Sequence, residues 1–145
     1  MLIEIIFIAH IVSTFIIVGV IWYAQIALYP LMKFINKEKF SRYKHEYNRL
    51  IMPIATIMLS IELITAIALV WIHPRAIPLW MVLASLAILI SAWLLTWSSC
   101  VPHHMRLEKG YNKFSYMVLL KLNLARAFLC TIRSFLVLLM IGRVI

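Results

Sequence analysis

The stretch Tyr116–Ile145, YMVLLKLNLARAFLCTIRSFLVLLMIGRVI, decides the fold. It is apolar over the length of a membrane-crossing helix, yet it carries Lys121, Asn123, Arg126 and Arg133. At ~1.5 Å rise per residue, Arg126 lies ~18 Å into a helix that starts near Phe114. A charge at that depth in a bilayer costs ~2.5–3.5 kcal/mol on the insertion scale. On a helical wheel Asn123, Arg126, Cys130 and Arg133 share one quadrant, and Lys121 points the other way. Lys121 is near the helix start and can snorkel to the interface. The polar groups deeper in the helix require partners, which the remaining helices must supply.

Composition sets the class. The chain has 145 residues, of which 65% are hydrophobic and 13% charged. Its mean hydropathy is +1.00. A soluble domain is near half apolar with about a quarter of its residues charged, so repeated apolar runs of ~20 residues make this an integral membrane protein. The net charge of +9 then reflects basic residues held in loops beside anionic headgroups, not nucleic-acid binding. Cys100 and Cys130 fall on different helices without a C-x-x-C pattern, which argues against a thiol–disulfide relay or a zinc site. The N-terminal run has Glu4 as its only charge and continues apolar to Pro30, so it reads as a retained span and not a cleaved signal.

Four spans follow, at about 2–32, 50–72, 79–101 and 115–143, in one domain covering 1–145. The first carries His10, Ser13, Thr14 and Gln25 on one face, with Trp22, Tyr23 and Tyr29 near the boundary where aromatic belts sit. The basic segment Lys33 to Arg49 reads as an amphipathic helix in the headgroups or as an extension of the second span. That span holds one charge, Glu62, with Ala55, Thr65 and Ala66 on its side. Small residues there admit a neighbouring helix. The turn HPRAIP (His73–Pro78) leads to the third span, where Ala84, Ala87, Ser91 and Ser98 form a second small-residue face. No internal repeat or linker is legible.

The two long loops hold nine Lys/Arg, against Arg75 and Arg143 on the other side. The positive-inside rule puts both loops in the cytoplasm and both termini outside. The predicted fold is therefore all-α: an up-down-up-down four-helix bundle in the bacterial inner membrane. Equal depths then predict that Glu62, thirteen residues from Arg49, faces Arg126, twelve residues from Phe114. By the same argument His10 shares a level with Arg133, and Gln25 and Asn123 share the cytoplasmic half of the interior. The result is a polar column with more cations than anions. At the cytoplasmic mouth lie His45, His103 and His104, with Glu46 and Glu108. His103 and His104 are adjacent and cannot both aim inward, so His104 is the candidate metal ligand there.

These residues resemble those of a family of small bacterial four-span membrane proteins of uncharacterised activity. The shared pattern is His10, then W-x-x-Q-x-x-x-Y-P (Trp22, Gln25, Tyr29, Pro30), Phe40, His45, and P-x8-E (Pro53, Glu62). It continues with P-x-H-x-x-L-x-x-G (Pro102, His104, Leu107, Gly110), Asn123, Arg126 and Arg133. Leu124 and Ala127 depart from it, because relatives carry an aromatic after the Asn and a Thr after the Arg. In size and topology the chain is also similar to anthrone-oxygenase-like proteins. A further similarity is to membrane protoporphyrinogen oxidases of the HemJ type, which have an early histidine and bind haem.

The resulting expectation is a membrane-embedded redox protein or oxidoreductase holding haem or a quinone-like aromatic. Glu62 and Arg126 would carry the chemistry. His10, Gln25, Asn123, Arg126 and Arg133 would bind the cofactor, with His10 as haem ligand. A single in-span histidine fits a five-coordinate or mixed-ligand haem, not a two-histidine one. The alternatives are a non-catalytic carrier or receptor for an anionic amphiphile, or a structural subunit. Expected partners are the bilayer and its anionic headgroups at the basic loops. The sequence leaves open a homo-oligomer or a larger membrane complex.

Overall fold

The computed structural model describes residues 1–145 and is almost wholly helical. Four helices are long and apolar enough to cross a membrane: α1 Leu2–Met32, α2 Lys37–Ile72, α3 Leu79–Glu108 and α4 Lys113–Val144. Each is longer than the ~20 residues a bilayer core needs. At ~54 Å, α2 extends well beyond the apolar run 50–72, so the first basic segment is a continuation of that helix. Asn36 caps α2 by accepting from the Glu38 N–H, and Asn112 caps α4 by accepting from the Ser115 N–H. Gly110, at φ 152°, turns the chain between Glu108 and Lys113 through a conformation that disfavours a side chain.

α1 packs against α2 and α4, and α3 packs against the same two. Contacts between α2 and α4 must therefore cross the bundle diagonal. The apolar interior is divided into three clusters. One, at the end formed by the basic segments, holds Tyr29, Met32, Phe40, Cys100, Leu107 and Leu119. The middle one holds Ile17, Ile21, Ala92, Ala127 and Cys130. The third, beside the His73–Pro78 turn, holds Phe7, Leu69, Ile77, Met81, Val82 and Met140. The buried polar groups around Arg133 and around Asn123 fall between these clusters, whereas Lys44 is buried at the basic end.

Two local departures from α geometry shape one of those layers. π-helical turns occupy Ala24–Leu28 in α1 and Thr96–Cys100 in α3. Each precedes a proline by two residues, Pro30 and Pro102. A proline inside a helix removes one backbone donor and crowds the carbonyl four residues back, and a wider turn relieves both. The two turns are 72 residues apart, a spacing match that the absence of any legible sequence repeat did not anticipate.

The predicted small face of α3 is corrected. Ala87, Ser91 and Ser98 are exposed, and the buried stripe is Met81, Ser85, Leu89, Ala92 and Cys100. Ser91 and Ser98 return their hydroxyls to the carbonyls of Ala87 and Leu94 on their own helix. An apolar solvent makes that local bond as effective as one to a neighbour, so small size alone did not identify the packed face.

Candidate intramembrane binding site

The deeper polar layer is built on Arg133, which is 1% exposed. One guanidinium nitrogen, Nη1, donates to Glu62 Oε1 in a buried ion pair. Nε donates to Ser85 Oγ at 3.2 Å, and Nη2 lies 3.1 Å from His10 Nε2. A guanidinium has no acceptor, so His10 Nε2 accepts and the ring proton sits on Nδ1. Nδ1–H then donates to Thr65 Oγ1 at 3.0 Å, and that hydroxyl in turn returns to the Ile61 carbonyl at 2.8 Å. His10 is thereby fixed as a neutral imidazole with both nitrogens engaged. Two polar atoms of this layer, Glu62 Oε2 and Thr14 Oγ1, have no partner.

The expected Glu62–Arg126 pair is corrected: Glu62 pairs with Arg133, across the diagonal from α2 to α4. Arg49 does not mark the start of α2, which begins twelve residues earlier at Lys37. Counted from the helix starts, Glu62 is 25 residues in, Arg133 is 20 and Arg126 is only 13. The long guanidinium stem covers the remaining difference. The expected level for His10 and Arg133 does hold, as does that for Gln25 and Asn123.

The second layer lies toward the basic segments. Asn123 Nδ2 donates to Gln25 Oε1 at 2.8 Å, and Asn123 Oδ1 accepts from Arg126 Nη2 at 2.9 Å. Arg126 Nη1 donates to Thr96 Oγ1 at 3.2 Å. Both π-helical turns thus present a polar side chain, Gln25 and Thr96, to this layer. Arg126 Nε is buried without a partner, and no carboxylate pairs with this guanidinium.

Between the layers lies a cavity of about 70 Å³. Its walls include Ile17, Ile21, Leu59, Ala92 and Cys130, with Glu62 and Arg126 as its ionisable residues besides the thiol. Val20, Trp93 and Trp97 complete one side; Trp97 is 51% exposed, so the cavity opens at the outer surface of the bundle. Such a volume accommodates a few waters or a compact head group. His10 is not among the lining residues and faces instead a void of about 10 Å³. The residues present therefore do not fit haem. The cavity is far below the several hundred cubic ångströms of a cofactor-sized pocket, and His10, the expected haem ligand, has both ring nitrogens engaged.

The basic end carries a third polar group. Lys44, read as one more headgroup-facing cation, is fully buried at 0% exposure. Its Nζ lies 2.7 Å from His104 Nδ1 and 4.6 Å from the centre of the Tyr47 ring. His104 Nε2 lies 3.3 Å from the Tyr29 hydroxyl. Tyr29, assigned to the interfacial belt, is 3% exposed, and its carbonyl accepts from Tyr116 Oη at 3.0 Å. Glu108 is held by His45 Nδ1 at 2.6 Å and Asn48 Nδ2 at 3.0 Å. His104 does aim inward, but to a lysine and a tyrosine. No three His, Cys, Asp or Glu side chains converge anywhere in the chain.

Sequence reading missed Ser85, Thr96 and Lys44, and it placed Thr65 beside Glu62 only as a small packing residue. Lys44 was the recoverable one: it lies four residues after Phe40 and so shares its buried face. Ser85 was hidden because α3 has no ionisable residue to mark its inner side. Comparison with protein families, with curated proteins and with solved structures finds no match to this chain.

Proposed function

We propose that this chain is a multi-pass protein of the bacterial inner membrane that binds an amphiphile through a compact anionic head. Its helices run up-down-up-down, with both basic segments in the cytoplasm and both termini outside. Nine Lys/Arg on those segments against two at the opposite end support that orientation.

One observation carries the ligand assignment: Arg126 lines the cavity and has no carboxylate partner. Glu62 lines the same cavity, but its charge is matched by Arg133. The cavity is therefore left with one uncompensated positive charge, at a depth where an isolated cation is costly. An anionic head would complete the second polar layer as Glu62 completes the first. The remaining walls are apolar, and the open side at Val20, Trp93 and Trp97 would let an acyl or isoprenoid tail leave toward lipid. A carboxylate or a phenolate-like ring fits this description, and a quinone-like head is the redox form of the same class. In this reading Glu62 and Arg133 preorganise the bundle, while Arg126, with Gln25 and Asn123 behind it, holds the ligand.

Trp93 and Trp97 provide the test. A brominated fatty acid should quench tryptophan fluorescence saturably in the wild type, and a quinone analogue should compete if it shares the head-group site. Arg126→Met should abolish the saturable component while the helical content stays unchanged. Equal quenching of wild type and Arg126→Met would refute the assignment.

A further inference from the structure

Resting on that reading, we infer that the ligand is a single-chain amphiphile whose tail lies in the seam between α2 and α3, running from the level of Arg126 toward the His73–Pro78 turn. The first sign is an indole out of place. Tryptophans of membrane proteins collect at the two interfaces. Trp93 is instead fourteen residues past Leu79 in a helix of 30, ~21 Å from its start and near mid-span. Its Nε1–H is buried and has no acceptor in the protein, although a buried indole usually finds one. Trp97 stands one turn further along α3, with the two ring centres 6.0 Å apart.

Both indoles border two hollows. On the inner side is the cavity of about 70 Å³ that contains Arg126 and Glu62. On the lipid side is a groove of about 220 Å³ with no charged residue, lined by Leu63 of α2 and by Ile90, Trp93, Leu94 and Trp97 of α3. Trp93, Leu94 and Trp97 follow Ile90 by three, four and seven residues, so the four form one stripe of the helix. The hollows meet at Trp93 and Trp97, which line both. One molecule therefore spans them, with its head beside the unmatched guanidinium and its tail along the stripe.

Any bilayer lipid touches an exposed apolar stripe. This stripe differs because it leads to a buried cation, past a ring whose N–H has no acceptor. A head oxygen held at Arg126 supplies both the missing charge and an acceptor at that junction. The inner cavity also limits the class of ligand. It admits a carboxylate or phenolate, but a glycerol-linked head joining two acyl chains exceeds its space for a few waters. Direction follows from the helix levels. Arg126 donates to Thr96, so the head lies beside Trp97. Ile90 and Leu63 lie nearer the His73–Pro78 turn, and Ile90 to Trp97 covers ~10 Å of helix. The tail thus points away from the basic segments, as in a molecule drawn from the leaflet beside them.

Two photoreactive hexadecanoic acids test the groove on the full-length protein in detergent, one with a diazirine near the carboxyl group and one with it at mid-chain. Adducts are mapped by peptide mass spectrometry, with and without excess unlabelled hexadecanoate. Competed adducts of the first acid should fall on Trp93 or Trp97, and those of the second on Ile90 or Leu63. Leu63→Trp, which fills the groove, should lose the competed adducts of both, whereas Ile64→Trp, at a neighbouring position 65% exposed, should keep them. Competed adducts elsewhere or in the reverse order, still lost in Arg126→Met, would overturn the groove and leave the Arg126 site standing. Groove adducts that unlabelled acid does not compete would mark ordinary lipid contact and overturn it too. Competed groove adducts unchanged in Arg126→Met would part the chain from the head and overturn the Arg126 assignment together with this inference.

Discussion

Removing Arg133 should be far more damaging than removing Arg126, although both are arginines of α4 two turns apart. Arg133→Met strips Glu62, which is 2% exposed, of its only partner, because Oε2 already has none. It also leaves the His10 Nε2 lone pair and the Ser85 hydroxyl without their donor. Breaking a buried ion pair from one side costs about 3–5 kcal/mol, because the survivor is left charged in a dry place. Arg126→Met removes two hydrogen bonds to neutral acceptors and orphans no carboxylate. Each such bond contributes on the order of 1.5–3 kcal/mol, and loss of an unmatched buried cation offsets part of that. Replacing both members of the ion pair, Glu62→Leu with Arg133→Met, should recover most of the loss, since no charge remains unpaired. Reversible unfolding of the three variants in mixed micelles gives these differences directly. The reasoning is refuted if Arg126→Met is as destabilising as Arg133→Met, or if the double replacement is no more stable than Arg133→Met alone.

Other outcomes follow from the same contacts. Gln25→Ala should loosen Asn123 and Arg126 together, seen as weaker fatty-acid quenching at little change in unfolding midpoint. Cysteines placed at Lys39 and Lys109 should label from the cytoplasmic side in inverted vesicles; labelling of both from the periplasm would reverse the orientation.

The four helices were legible because apolar runs of this length have few alternatives. The inward face of α4 was legible too, since its polar residues cluster on one side and lipid excludes them from the other. What could not be read was which cation meets Glu62. That pairing depends on where α2 starts, and the basic residues that mark the membrane surface continue the helix without interrupting it. Burial of Lys44 was hidden for a related reason. In a basic segment each lysine looks solvated, and only the place of Lys44 one turn after Phe40 sets it apart from the others. The π-helical turns left a trace in Pro30 and Pro102, but a proline near a helix end fits a simple kink equally well.

Native mass spectrometry of the protein released from membranes most directly tests whether Arg126 holds an anionic amphiphile. Wild type should retain a bound species whose mass corresponds to an acidic lipid, fatty acid or phenolic isoprenoid. Arg126→Met should lose it while Lys121→Met, altered on the exposed side of the same helix, keeps it. The same bound species at the same occupancy in Arg126→Met would contradict the assignment.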